Sequence, residues 1–388
     1  MIRKLVNAPR DYAWGSTTLI PDYFGIEPTG KPMAEIWFGT HPGSLTQVAP
    51  SETEPAQSLL SLRDDQPLPF LFKILAAGQP LSLQAHPTSK QAVAGFEREN
   101  ALGIALDASN RNYKDARHKP EMLVALTEFH ALAGFQDPAD LQAEFELISK
   151  YASENLKPEL AQWMTLLAQG IKPLFTHLMS IREWIAPHIT ELVAACEQAV
   201  AAGEGSKFEA SLKLTTELQK LYPGDVGVAI SLLMNYVVLQ PNQAVQIAAG
   251  HIHAYLSGLG VEIMAASDNV LRGGLTPKHI DVAQLQKILK FEGGQVAPVE
   301  GRTLTRGLTA YDQDVDDYLL YRVDVSGDNL LADLELKEPS IILCTSGEVA
   351  VSDSLANREV LRRGEAAYVE GARLVTIAGS GSGFIATH

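Results

Sequence analysis

The chain has 388 residues, enough for two or three domains, and its 46% hydrophobic and 20% charged residues are an ordinary balance for a globular protein rather than a disordered one. A formal net charge of −15 argues against nucleic acid as a partner, because backbone phosphates are bound by clustered Lys and Arg. One small phosphorylated ligand stays open, since two or three local cations in a cleft can hold it.

Apolar-rich runs such as 230–233 and 237–239 fall far short of the ~20 residues that span a bilayer, so no membrane partner is expected. Met1-Ile2-Arg3-Lys4 leads to Asn7, Pro9 and Asp11 without an apolar signal core, which predicts a cytoplasmic protein. Cys196 and Cys344 show no short metal or redox spacing and read as buried thiols in a reducing compartment.

In chain order, residues 1 to about 135 read as strands and loops. Ala34-Glu35-Ile36-Trp37-Phe38-Gly39 and Pro69-Phe70-Leu71-Phe72-Lys73-Ile74-Leu75 are short apolar runs closed by Gly or Pro. The texture changes at Asp137-Pro138. From there to Tyr222 apolar residues recur at helical spacing (Leu141, Phe145, Ile148; Leu212, Leu218, Leu221), which predicts an insertion of some five helices. After Tyr222-Pro223-Gly224-Asp225 strands are expected over 226–239, 244–249 and 251–256, then a helix over 282–289. The stretch 295–388 again reads as short strands, with turns at Ser346-Gly347-Glu348 and Arg363-Gly364-Glu365. The fold class is therefore mainly β with an α-helical insertion, its β domains sharing one architecture.

Four clusters carry chemistry. In Ser82-Leu83-Gln84-Ala85-His86-Pro87, Gln84 and His86 are two apart and share a strand face, offering an oxygen and an imidazole to one point. In Asn112-Tyr113-Lys114-Asp115-Ala116-Arg117-His118-Lys119-Pro120-Glu121, Glu121 stands at a strand entrance, where its carboxylate can project inward. His251-Ile252-His253-Ala254-Tyr255 places two imidazoles on one face, a set that suits zinc, copper, iron or nickel. Between Glu262 and Lys278, Arg272 precedes two glycines and is, with Lys278, a candidate anion holder. Taken singly each is ordinary: a charge run is usually a solvated face, and a lone His more often a satisfied polar residue.

Together and in this order they resemble the type I mannose-6-phosphate isomerases, the phosphomannose isomerase family. The matching stretches are Asp11-Tyr12-Ala13-Trp14-Gly15-Ser16, Ala34-Glu35-Ile36-Trp37 with His41-Pro42, Gln84-Ala85-His86-Pro87, Asn112-Tyr113-Lys114-Asp115 with His118-Lys119-Pro120-Glu121, and His253-Ala254-Tyr255-Leu256-Ser257-Gly258 on to Lys278. The likeness is close over about 1–135 and 225–290 and architectural elsewhere.

The resemblance implies two cupin-type (double-stranded β-helix, jelly-roll) barrels plus a helical domain. Residues 1–136 and 225–292 would form a discontinuous catalytic cupin, 137–224 the helical insertion, and 293–388 a degenerate cupin without metal. It implies one Zn²⁺ per chain held by Gln84, His86, Glu121 and His253, and favours His253 over His251. Arg272 looks like the family's catalytic arginine; Lys119 and Glu262 are both candidates for proton transfer; Ser82, Lys278 and Tyr255 are expected to bind substrate. The implied reaction interconverts D-mannose 6-phosphate and D-fructose 6-phosphate by proton transfer between C1 and C2 through an enediol(ate), on a monomeric enzyme. Two rivals stay open on the residues alone: another metal-cupin enzyme, such as an Fe(II) oxygenase or an epimerase, and a non-catalytic sugar-phosphate-binding module.

Overall fold

One strand joins the two leaves of the first sheet. A computed structural model describes residues 1–50, 55–312 and 314–388, and in it the thirteen-residue strand His253–Ala265 takes part in both leaves of a nine-stranded sheet. Its first residues pair with Phe129–Phe135 on one side and, at His253, with Gln84 of Leu83–Ala85 on the other. From Gly258 onward it pairs instead with Phe70–Ala77 and Glu121–Ala125. The register shifts between Tyr255 and Ser257, and Gly258 follows at φ 123°. A Cβ there would sit 2.7 Å from the Glu128 carbonyl oxygen and 2.8 Å from Phe129 Cα, so only glycine lets the strand leave one leaf for the other.

Period-two alternation then separates two environments. Leu75, Leu123 and Val245 of one leaf meet Ala131, Val237 and Tyr255 of the other in an apolar cluster, which shows that the leaves face each other. The alternate residues Ile36, Phe72, Val124 and Val261 point the other way, against Tyr311, Leu320, Ile341 and Phe384 of a second sheet. The closed barrels expected from the sequence are not what the pairing shows: among the described residues the nine strands keep open edges at Glu35–Phe38 and Ala244–Ile247. Those edges are shielded by single bridges, Arg10 to Glu35 and Val299 to Ala244, which removes the need for closure.

The second sheet has eleven strands and is centred on Ser340–Asp353 and Leu374–Thr387, which pair along almost their whole length. The strand Ile2–Val6 hydrogen-bonds into it beside Ala366–Val369, so the first residues of the chain close the last sheet.

The insertion comprises the helices Pro138–Tyr151, Leu156–Leu167, Ile171–Ser180, Ala186–Ala201 and Glu209–Leu221, as the spacing predicts. Asp137 caps the first by accepting from the Ala139 N–H, with Pro138 in the first turn. The strand expected over 226–239 divides in two: Val226–Leu232 is a helix, and only Met234–Leu239 is extended. Every residue of that helix is buried, which erases the amphipathic period, and its start is set by the Asp225 side chain accepting from the Gly227 N–H. The strand expected from 251 begins at His253, and the helix expected over 282–289 spans Val282–Ile288. No helix among the described residues is long and apolar enough to cross a membrane.

The insertion is tied to the sheet through a buried acid. Glu144, on the first inserted helix, accepts from Ser211 Oγ and, at 3.0 Å, from Gln136 Nε2; the same Gln136 amide donates to the Leu232 carbonyl at 2.9 Å. Burial pushes the Glu144 carboxyl up from 4.5 to about 7, against the hydrogen bonds from Ser211 and Gln136. The native state therefore holds this proton where the unfolded chain has lost it, so stability falls as the pH rises from 4.5 toward 7 and is flat beyond. In urea unfolding at a series of pH values, wild type should lose roughly 3 kcal/mol more than Glu144→Gln over that window; identical pH slopes would show that Glu144 keeps its ordinary ionisation.

Candidate active site

The short strand Leu83–Ala85 lies between His253 and Leu271–Gly274, and Gln84 stands opposite both His253 and Arg272. Directly paired residues project to the same side, so His253, Gln84 and Arg272 form a row on one face, with His86 two residues beyond Gln84. Glu121 opens the strand Glu121–Ala125 opposite Met264 and Ile247 and brings its carboxylate to the same place. His86, Glu121 and His253 are all buried, and their ligand atoms lie within 4.8 Å of one another.

Backbone carbonyls fix the two imidazoles. His86 Nδ1 lies 2.7 Å from the Asn269 carbonyl and His253 Nδ1 3.3 Å from that of His251. A carbonyl only accepts, so Nδ1 carries the proton in each ring and the Nε2 lone pairs are left to face Glu121, at 3.3 Å for His86 and 3.4 Å for His253. His86 Nε2 is buried and has no hydrogen-bond partner. Burial pulls the His86 pKa down to about 4, against the pull of Glu121, which keeps the ring neutral. Burial would raise Glu121 as well, but the neighbouring ammonium of Lys119 leads the effects that hold its carboxyl well below the carboxylate range. The neutral His86 ring therefore points an Nε2 lone pair at a buried carboxylate that His253 Nε2 also faces, an arrangement suited to a cation between them. Gln84 donates its amide N–H to Ser82 Oγ at 3.2 Å, which leaves its carbonyl oxygen for that cation. Two imidazole nitrogens and two oxygens suit Zn²⁺.

The remaining sequence candidates surround this point. Lys119 Nζ donates to Glu121 Oε1 at 3.0 Å. Glu262 and Tyr255 line the same recess with Gln84, Glu121 and His253. Burial raises the Glu262 carboxyl, Lys73 opposes this, and Glu121 and Glu35 add to it; the Tyr255 hydroxyl is pushed up by burial and by Glu262. The recess continues, past Trp14, Leu81 and Gln84, into a cavity of about 410 Å³ that holds Ser82, Arg272 and Lys278. Burial lowers the pKa of Arg272, and burial with Arg272 and Lys114 lowers that of Lys278; neither faces a carboxylate among the described residues. A half-buried Arg272 and an exposed Lys278 on one cavity, without a counter-ion, make a candidate anion site.

All ten candidates thus come together, and sequence reasoning missed their supports. Lys73 is buried in an otherwise apolar strand, bonded to Glu262 at 2.9 Å and Glu35 at 3.4 Å, with the Trp37 N–H donating to Glu35 at 2.9 Å. A lone Lys inside Phe70–Ala77 is the signal that would have found it. Asn269, fully buried, ties the two arms of the site together. Its Oδ1 accepts from Lys114 N–H at 2.7 Å and Asp115 N–H at 3.2 Å, and its amide donates to the carbonyls of Asp115 at 2.9 Å and Arg117 at 2.8 Å. His251, the alternative imidazole, contributes its carbonyl to His253 rather than a ring to the cluster.

Comparison with known proteins gives the family. The family model described as "Phosphomannose isomerase type I, catalytic domain" matches residues 2–138. The mannose-6-phosphate isomerase of Salmonella typhimurium is 34% identical over an alignment covering 99% of this chain and 98% of the relative. The human protein of that name is 33% identical, with 87% and 84% covered. Among solved structures, a zinc-bound mannose 6-phosphate isomerase superposes with a TM-score of 0.88 at 30% identity, covering 100% of this chain and 99% of the other. The Salmonella typhimurium enzyme bound to fructose 6-phosphate and zinc gives 0.87 at 30% identity with the same coverage. With identity of this order along nearly the whole of both chains, this chain belongs to the type I phosphomannose isomerase family.

Proposed function

We propose that the chain is a zinc-dependent mannose-6-phosphate isomerase, interconverting D-mannose 6-phosphate and D-fructose 6-phosphate. The observation that carries this reading is the pair of Nε2 lone pairs aimed at buried Glu121, in a recess that opens onto the uncompensated cations Arg272 and Lys278.

One Zn²⁺ would be held by Gln84, His86, Glu121 and His253; when bound it supplies Lewis-acid stabilisation of charge developing on the sugar oxygens. Aldose and ketose differ by one proton moved between C1 and C2 through an enediol(ate), so the protein must carry that proton and hold the phosphate away from the reacting end. Lys278 and Ser82 bind the phosphorylated end. Arg272, in the row with Gln84 and His253, steadies negative charge on the intermediate. Of the two proton carriers, Glu262 is the better placed. Burial and two neighbouring carboxylates favour its protonated form, whereas Lys119 is already engaged with Glu121. Tyr255 closes the recess beside Glu262. Every one of these groups comes from one chain, so a monomer suffices, and nothing in the reaction requires a compartment other than the cytoplasm.

The two facing leaves support a cupin-type jelly roll made by 1–136 and 225–292. The helices of 137–224 are an insertion in it, and 293–388 form a degenerate second jelly roll that borrows the strand Ile2–Val6.

Chelation should abolish mannose 6-phosphate turnover and added Zn²⁺ restore it in a coupled assay without oxygen or cosubstrate; full activity of a verified metal-free preparation contradicts the reading. Arg272→Ala should lower kcat by about 10²- to 10³-fold with zinc content unchanged by metal analysis, and parallel loss of both would make Arg272 structural. Asn269→Ala, which frees the carbonyl that aims His86, should weaken zinc binding by about 10- to 100-fold in competition with a chromophoric chelator. Affinity equal to wild type would remove Asn269 from the site's support.

A further inference from the structure

The helical insertion ends in the turn 222–225, and this turn grips both walls of the cation end of the cavity. On one wall, Tyr222 Oη donates to the Pro80 carbonyl at 2.9 Å, in the segment that leads to Ser82 and Gln84. On the other, the Asp225 carboxylate accepts from three backbone N–H groups. Oδ1 takes Gly227 at 2.6 Å and Leu275 at 2.9 Å, and Oδ2 takes Thr276 at 3.3 Å. The first bond caps the helix Val226–Leu232; the other two reach into the loop between Arg272 and Lys278.

That loop needs an outside hold. Gly274 has φ 144° and Leu275 has φ 53°, the latter a left-handed conformation that a branched L side chain rarely takes. Backbone also crosses backbone here: a Cβ on Gly274 would meet Gly227 Cα at 2.6 Å, and one on Gly227 would meet Leu275 N at 2.6 Å. Thr276 in turn sets the start of Lys278, because its Oγ1 accepts from the Lys278 N–H at 3.1 Å. One carboxylate thus anchors a strained loop with a cation at each end, and both cations line the cavity.

We infer that Asp225 is a positioning residue for the phosphate of the substrate, acting through the 274–276 backbone to place Arg272 and Lys278; this rests on the reading of those two cations as the phosphate end. The inserted helices are thereby part of how the enzyme selects a phosphorylated sugar, although no side chain of theirs touches the reacting carbons.

The variant Asp225→Asn tests this. Asn keeps one oxygen for the helix cap and the Leu275 N–H but turns an NH₂ toward the Thr276 N–H, and Asn caps helices as well as Asp does. The expected result is a KM for mannose 6-phosphate raised about tenfold, competitive inhibition by inorganic phosphate weakened by the same factor, and kcat and zinc content within about twofold of wild type. Gly274→Ala, whose Cβ would crowd Gly227 Cα and the Asp225 Oδ1 that anchors this loop, should reproduce the pattern and serves if Asp225→Asn does not fold. Folded variants with unchanged KM and phosphate inhibition, or a loss confined to kcat and zinc, overturn the inference. Lys278→Ala separates the two layers: if it leaves KM and phosphate inhibition unchanged, the phosphate reading itself fails and the inference with it.

Discussion

Two imidazole rings whose Nδ1 atoms are committed to backbone carbonyls aim their other nitrogens at one buried carboxylate. Everything else in the catalytic half serves to keep that unfavourable arrangement in place. Burial disfavours the Glu121 anion, yet Lys119 keeps it ionised; burial also strips His86 of its proton. The result is a buried anion faced by two imidazole nitrogens, the donor set of a candidate cation site.

The fold supplies the rigidity this demands. The strand His253–Ala265 begins with His253 in one leaf and carries Glu262 in the other, so the transfer at Gly258 fixes these two side chains relative to each other. Lys73 is bonded to both Glu35 and Glu262, so when Glu262 holds its proton the buried Lys73–Glu35 pair carries no net charge. Asn269 ties the segment bearing Lys114 and Asp115 to the carbonyl that orients His86. At the far end, the carboxylate of Asp225 is spent on backbone N–H groups, so an acidic side chain can stand near an anion site without competing for Arg272 or Lys278.

What could be read from the sequence follows the same physics. Gln84 and His86 share a face by strand periodicity, and Glu121 at a strand entrance pointed inward, so local rules found the ligands one at a time; their convergence came only from the family pattern. The helices of the insertion were legible because only one face is buried, as at Leu141, Phe145 and Ile148, so the apolar period shows. The helix Val226–Leu232 was not, because it is buried all round and loses the period that distinguishes helix from strand. Lys73, Asn269 and Asp225 escaped because their partners lie far away in sequence: Glu262 for the first, Lys114 for the second, Leu275 for the third. The open edges of the nine-stranded sheet were equally out of reach, since single bridges from distant loops cover them.

The most direct test of the central claim is diffraction from crystals of the zinc-loaded protein on either side of the zinc absorption edge. The expected result is a single anomalous peak per chain at ~2.0 to 2.2 Å from Nε2 of His86, Nε2 of His253 and a Glu121 oxygen, with the Gln84 carbonyl oxygen turned toward it. A peak bound through Nδ1, a peak at His251, or a zinc ion seated away from Glu121 would contradict it.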